Sequence, residues 1–218
     1  MGELQVAYAE AVSLWRELRL TIPSLSAPFV VSPAPGYGTA ALRLLIVGQE
    51  TFGWGEGIDH GQPIEQLVDI LSTWYESFDL GAKYRSTPFW AAAHQINAAL
   101  NRDAETRSFL WSNLVKMDSG KSRVPAEVED RVAALRLLQL EIAAHRPEVV
   151  IFFTGPRYDG RLRASFPGAV FEPGDAFLSR VEHPDLPKHS YRTYHPRYLR
   201  MSRRWNVISD LISRCQVT

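Results

Sequence analysis

Apolar residues near the start of the chain recur at helical spacing. Between Glu3 and Leu20 they follow one another in alternating steps of four and three residues, a pattern typical of an amphipathic helix that packs against a sheet. The segment from Ile22 to Gly38 contains four prolines and several serines, which block regular structure and predict a connecting loop. Residues 1–38 are therefore predicted to form an N-terminal helix and a proline-rich loop, ahead of a core that spans residues 39–218.

Three apolar segments predict buried strands, and a fourth segment completes a sheet. The first three are short and mostly hydrophobic, as expected of strands in a parallel sheet that is covered on both faces. The fourth lies directly before His195-Pro196. The four predicted strands cover residues 42–47, 109–113, 149–153 and 190–194. Residues at the carboxyl end of the first strand are expected to line a site, as is usual in open α/β sheets.

Helical patterns separate the predicted strands. The predicted helices run from Pro63 to Phe78, from Phe89 to Leu100, from Pro125 to Ile142 as one long helix, and from Tyr198 to Ser213. Strands that alternate with helices indicate a sheet covered on both sides. The pattern predicts an α/β protein with a three-layer α/β/α fold around a central, mainly parallel four-stranded sheet, and a single domain over residues 1–218.

Composition limits the classes of partner and cofactor. The chain has 218 residues, of which 24 are basic and 24 acidic, so no global positive field attracts it to phosphate and any affinity for DNA must come from local clusters. Cys215 is the only cysteine, which excludes a disulfide, a four-cysteine zinc site and a thiolate-held iron–sulfur cluster within one chain. The three histidines His183, His189 and His195 lack the spacing of metal ligands, so we expect neither a metal nor another cofactor.

The chain shows no sign of export or membrane insertion. Glu3 stands where a signal peptide has positive charge, and no segment approaches the roughly 18 apolar residues of a membrane span. A reducing compartment also suits a single cysteine. We therefore expect a soluble, cytoplasmic monomer without a membrane partner.

The first candidate site is Gly48-Gln49-Glu50-Thr51-Phe52, which leaves the end of the first predicted strand. Glycine lets a ligand approach the backbone closely, and a partly desolvated carboxylate can act as a general base or stabilise positive charge on a sugar. The alternative interpretation is a turn with a solvated Glu50. The residues alone leave both interpretations open.

Asn113 and His195 are two further candidates beside predicted strand ends. An amide offers a donor and an acceptor together, which suits the edge of a pyrimidine in an enzyme that reads an extruded base. A histidine between a strand and a proline-started helix can donate a hydrogen bond to a leaving base that gains negative charge. A turn-forming Asn113 and a capping or core His195 remain the alternatives.

Arginines follow His195 at helical spacing and form a local basic stripe. They are Arg197, Arg200, Arg203 and Arg204. Phosphates could dock on this stripe, although a solvated helix face is the simpler interpretation. Tyr194 and Tyr198 add aromatic surface that could stack on bases or pack in the protein.

The order of these segments resembles the uracil-DNA glycosylase superfamily. Gly48 and Gln49 match the start of the superfamily's GQDPYH motif, with Glu50 in place of the catalytic aspartate and Phe52 in place of the tyrosine that guards against thymine. The segment ending Ser112-Asn113-Leu114-Val115-Lys116 resembles the T-N-x-V-K-C segment, and Thr193-Tyr194-His195-Pro196 resembles the T-Y-H-P segment.

The resemblance implies a function and a role for each matched residue. The chain would hydrolyse the N-glycosidic bond of uracil or another deaminated or damaged base in DNA, as a DNA-repair enzyme. Glu50 and His195 would be catalytic, and Gly48, Gln49, Phe52 and Asn113 would bind the base. The DNA-binding residues would be Arg197, Leu199 as a wedge in the minor groove, Arg200, Arg203 and Arg204.

Two alternatives to this function remain open. One is a nucleic-acid or nucleotide binding module that shares the fold without catalysis, which the replacement of aspartate by Glu50 and the neutral charge favour. The other is an N-glycosidase that acts on a nucleoside or on RNA. Salt dependence distinguishes DNA binding from nucleoside binding, because contacts with DNA phosphates weaken steeply with salt and nucleoside binding does not.

Overall fold

The computed structural model describes residues 2–102, 107–172 and 176–216. Met1 and residues 217–218, at the ends of the predicted domain, lie outside these ranges. Buried apolar side chains from both halves of the described chain form one continuous core cluster.

The core is a mixed sheet of six strands flanked by helices. The strands are β1 (Leu44–Glu50), β2 (Phe109–Val115), β3 (Val149–Phe152), β4 (Val170–Phe171), β5 (Leu178–Glu182) and β6 (His189–Thr193). Their order in the sheet is β2-β1-β3-β6-β5-β4. The first four strands of this order pair in parallel, while β5 and β4 add an antiparallel edge.

The predicted α/β class and mainly parallel sheet are confirmed, but the predicted number of strands is wrong. The four predicted strands correspond to β1, β2, β3 and β6, and the sequence analysis missed β4 and β5. Strand β4 has two residues, and three of the five residues of β5 are polar, namely Ser179, Arg180 and Glu182. Such short segments lack the continuous apolar run by which a buried parallel strand is recognised.

Nine α-helices lie in the described ranges. They are α1 (Glu3–Arg19), α2 (Pro35–Gly38), α3 (Ile64–Phe78), α4 (Pro88–Leu100), α5 (Ala126–Ala134), α6 (Leu137–His145), α7 (Asp159–Ser165), α8 (Pro196–Met201) and α9 (Asn206–Gln216). Short 3-10 helices cover Asp79–Tyr84 and Pro156–Tyr158. Helices α5 and α6 contact β2, and α9 contacts β6. No helix among the described residues has the length and apolar character needed to cross a membrane.

Two predicted long helices are each interrupted by a left-handed arginine. Arg136, with φ 51°, separates α5 from α6, and Arg203, with φ 58°, lies between α8 and α9. The Arg204 N–H then donates to the carbonyl of Leu199 at 2.8 Å, which satisfies a carbonyl at the end of α8. Neither break contains the glycine or proline that usually marks a helix end. Because apolar residues also recur at helical spacing on both sides of each break, a continuous helix was predicted across both.

The proline-rich loop lacks long regular structure, as predicted, but its central part is buried. The N–H groups of Ser26 and Phe29 donate to the carbonyls of Asp118 and Lys116 at 2.8 and 2.9 Å, and that of Ala27 donates to the carbonyl of Trp54 at 3.0 Å. The loop therefore fastens together the segments that follow β1 and β2, and these segments form the candidate site.

Candidate functional site

The carboxyl ends of β1 and β2 open onto a cavity of about 610 Å³. Gly48 and Asn113 are paired residues in the register of these strands. His195 follows β6 and forms the N-cap of α8. All six residues predicted to be catalytic or base-binding line this cavity, namely Gly48, Gln49, Glu50, Phe52, Asn113 and His195. The structure thus brings together residues that are far apart along the chain.

Gly48 makes room for the side chain of Asn113. A Cβ atom at position 48 would collide with the Oδ1 atom of Asn113 and would lie 3.5 Å from the ring of Phe89. A glycine is required here by the close approach of a neighbouring side chain rather than by a special backbone conformation.

The amide of Asn113 is buried without a protein partner for its donor. The residue is 2% exposed, and its Nδ2 atom has no hydrogen-bond partner among the described residues. A buried donor left without a partner costs about 1–3 kcal/mol, so native proteins rarely retain one without a reason. The arrangement leaves Nδ2 available to a ligand that carries a hydrogen-bond acceptor.

His195 is held in one tautomer by the backbone of its own helix. Its Nδ1 atom accepts a hydrogen bond from the N–H of Arg197 at 3.1 Å, so in the neutral ring the proton lies on Nε2. Burial, with a smaller contribution from the charge of Arg197, lowers the pKa of His195 to about 4. The ring also stacks on Phe89, with 5.7 Å between the centroids. At neutral pH, His195 therefore offers an uncharged N–H donor.

Glu50 keeps a carboxylate oxygen out of solvent at the edge of the cavity. Its Oε2 atom is buried and has no hydrogen-bond partner among the described residues. Burial, together with the negative charge of Glu50, raises the pKa of the Tyr158 phenol to about 12. A desolvated carboxylate of this kind can accept a proton from water or stabilise a neighbouring positive charge.

Gln49 and Phe52 differ in how firmly they are held. The Nε2 atom of Gln49 donates to the backbone carbonyl of Thr154 at 2.9 Å, which joins the ends of β1 and β3. Phe52 is 76% exposed, and the Nζ atom of Lys121 lies 6.0 Å from its ring centroid. The Phe52 ring therefore lies largely in solvent at the edge of the cavity, whereas the Gln49 amide is already engaged.

Six aromatic side chains that were not among the predicted site residues also line the cavity. They are Trp54, Phe78, Tyr84, Phe89, Trp90 and Trp111. The Nε1 atoms of Trp54 and Trp111 are buried and have no partner among the described residues. Their positions in the sequence indicated core packing, and only the fold reveals that they also face a cavity. Three residues that line the cavity, Asn113, Trp54 and Trp111, thus each carry a buried N–H group without a partner among the described residues.

Asp118 was also missed, and it organises the loop that carries Phe52. One oxygen of its buried carboxylate accepts hydrogen bonds from the Thr51 hydroxyl and the Gly53 N–H, both at 2.8 Å. The other oxygen accepts from the N–H of Lys121 at 2.8 Å. This pattern of an aspartate bonded to a backbone N–H three residues later is typical of a turn, which was the signal available in the sequence.

The predicted basic stripe is present as an exposed cluster but not as one helix face. Because α8 ends at Met201 and Arg203 has a left-handed conformation, the four arginines do not share a continuous helix. All four are exposed, and none forms an ion pair with a described residue; they are Arg197, Arg200, Arg203 and Arg204. The Nη1 atom of Arg200 lies 3.4 Å from the carbonyl of Ser86, beside the cavity rim.

The wedge role predicted for Leu199 does not fit the structure. Its side chain is fully buried in the core, because it lies on the inner side of α8. The exposed apolar side chains of this helix are those of Tyr198 and Met201.

Comparisons with known proteins assign no family to this site. No family model matches the chain, and no curated protein matches it. Within the described ranges, no group of three or more His, Cys, Asp or Glu side chains could hold a metal ion. The chemistry must therefore be inferred from the geometry of the cavity.

Proposed function

We propose that the protein is a DNA glycosylase that hydrolyses the N-glycosidic bond of uracil or another deaminated base. The observation that carries this proposal is the buried, unpartnered amide of Asn113, which shares an aromatic-walled cavity with the carboxylate of Glu50 and the neutral imidazole of His195. A flat apolar wall with a few fixed polar groups suits a nucleobase.

The unpartnered donors favour a base that is rich in carbonyl oxygens. Asn113, Trp54 and Trp111 each contribute a buried N–H without a partner among the described residues. Deamination replaces the amino donor of cytosine or adenine with a carbonyl acceptor. A site with several donors therefore stabilises a deaminated base and disfavours its parent, whose amino group would face another N–H.

The proposed reaction uses Glu50 and His195 on opposite parts of the substrate. The target nucleotide is rotated out of its stack into the cavity, and the bond between the base nitrogen and C1′ of the sugar breaks. Glu50 stabilises the positive charge that develops on the sugar and accepts a proton from the water whose oxygen bonds to C1′. The Nε2–H of His195 donates to a carbonyl of the departing base as that base becomes an anion, which the released proton then neutralises.

A test of this proposal measures base release from defined oligonucleotides. The substrates carry one uracil, one hypoxanthine or one xanthine, and alkali-sensitive abasic sites are counted. We expect release by the wild-type protein and a loss of about 100-fold or more in Asn113→Asp and His195→Ala, because each removes a donor to the base. Thermal unfolding of the variants serves as the control for folding.

Two results would contradict the proposal. Unchanged release in Asn113→Asp or His195→Ala would remove these residues from the site. No release from any oligonucleotide would exclude a glycosylase for these bases.

A binding module without catalysis is the second candidate. It is favoured by the position of Glu50, whose charge is already coupled to Tyr158 and Arg161. This function predicts that oligonucleotides with a deaminated base bind more tightly than undamaged ones, while no base is released from either. Direct binding measurements alongside the release assay distinguish the two candidates.

A further inference from the structure

We infer that an aromatic surface beside the cavity is a stacking platform for single-stranded DNA. The surface consists of Phe177, Tyr194 and Tyr198 and is called the tyrosine platform below. The inference rests on the proposed function, because it names the strand state of the DNA that reaches the cavity, but it depends on different residues.

The three rings of the tyrosine platform are stacked next to His195. The ring centroids of Tyr194 and Tyr198 are 4.7 Å apart with planes inclined by 24°, and those of Phe177 and Tyr198 are 6.5 Å apart with planes inclined by 22°. Tyr198 remains 47% exposed. The N–H of Tyr198 also donates to the carbonyl of His195 at 2.8 Å, which places the platform at the cavity.

Unpaired cations surround the tyrosine platform. The guanidinium of Arg204 lies 5.1 Å from the ring centroid of Phe177. Arg197 and Arg200, on the same short helix as Tyr198, have no acidic partner among the described residues. An exposed ring that is stacked on two half-buried rings, beside arginines without an acidic partner, suits a nucleic-acid strand that binds through its bases and its phosphates.

The geometry favours a single strand over a duplex. The faces of paired bases inside a duplex are covered by their neighbours, so only an unpaired base can stack on Tyr198. A protein that extracts a base from a duplex commonly inserts an apolar wedge, and Leu199, the residue predicted for that task, is buried. Single-stranded DNA also presents its target base without the cost of unpairing.

The test measures binding of labelled DNA without any damaged base, so it does not depend on the cavity. Fluorescence anisotropy compares one sequence as a single strand and as a duplex. We expect the single strand to bind more tightly and Tyr198→Ala to weaken that binding by about tenfold, the usual loss when a stacking ring is removed. Tyr198→Phe keeps the ring and should bind like the wild type. Met201→Ala, which changes an exposed residue on the same helix, is the matched control.

The outcomes of these binding measurements test the tyrosine platform independently of glycosylase activity. Equal or tighter binding of the duplex, or unchanged binding in Tyr198→Ala, overturns the tyrosine platform even if uracil is released. The tyrosine platform is also overturned if Met201→Ala weakens binding of the duplex while Tyr198→Ala leaves DNA binding unchanged. Met201 would then act as a duplex wedge. Ring-dependent binding of the single strand supports the platform even if no base is released from any oligonucleotide.

Discussion

Two buried polar clusters lie three residues apart on the segment that contains β2, and only one of them is complete. Around Lys116, the Nζ atom lies 2.6 Å from Glu141 Oε2, and the Ser112 hydroxyl donates to the same oxygen at 2.7 Å. The Tyr8 hydroxyl donates to Glu141 Oε1 at 3.0 Å and accepts from the N–H of Val31. This cluster joins α1, α6 and β2 without needing a ligand.

Asn113 is buried to a similar degree, but the polar atoms around it are not joined to one another by hydrogen bonds. Asn113 Nδ2, Trp111 Nε1 and Glu50 Oε2 all lack partners among the described residues. Fully bonded buried networks stabilise a unique core, whereas unpartnered buried groups cost stability and are retained where a ligand supplies the missing bonds. The contrast identifies the first cluster as part of the folded core and the second as the candidate for binding a ligand.

The largest expected effect comes from breaking the complete cluster. We expect Lys116→Met to lower the free energy of unfolding by about 3–5 kcal/mol, because it leaves the charge of Glu141 buried without its counterion. Urea unfolding measures this loss. The matched control is the double variant Lys116→Met/Glu141→Leu, which removes both charges and should recover most of the stability. A single variant as stable as the wild type would show that the ion pair does not hold the core together.

An intermediate effect is expected at Gly48, which lies against Asn113 of the incomplete cluster. We expect Gly48→Ala to lower the free energy of unfolding by about 1–3 kcal/mol, since its methyl group would collide with Asn113 Oδ1. The same change should also reduce base release, because Asn113 must move.

A double-mutant cycle tests the origin of this effect. In an Asn113→Ala background the colliding oxygen is absent, so the cost of Gly48→Ala should be smaller there than in the wild type. Equal costs in the two backgrounds would assign the strain to another contact, such as that with Phe89.

The smallest expected effect is that of the Arg197 charge on the protonation of His195. Because burial and Arg197 lower its pKa to about 4 from an ordinary 6.5, the unfolded chain binds a proton before the folded one does. The contribution of His195 to stability is therefore complete above about pH 6.5 and is lost as the pH falls toward about 4. NMR titration of the His195 ring measures this pKa. Arg197→Ala should raise the pKa only partly toward 6.5, because burial makes the larger contribution. Titration of the ring near pH 6.5 would contradict a half-buried His195 that stays uncharged at neutral pH.

Much of the parallel core could be predicted from the sequence. The segments that became β1, β2 and β3 are mostly apolar, since a strand covered on both faces excludes polar side chains from most positions. The short edge strands β4 and β5 and the breaks at Arg136 and Arg203 carry no comparable signal. A left-handed arginine is stabilised by hydrogen bonds and packing of the folded chain, which local composition does not encode.

For the candidate site, too, the residue types could be predicted from the sequence, whereas their contacts could not. The residue types that follow the strand ends could be read from the sequence, and they indicated Gly48, Glu50, Asn113 and His195. The fold was needed to show that Nδ2 of Asn113 lacks a partner among the described residues and that His195 is half-buried with a lowered pKa. It also showed that Asp118 holds the Phe52 loop and that Leu199 faces the core. Burial and hydrogen-bond partners depend on contacts between residues distant in the chain, and no local pattern of residues specifies them.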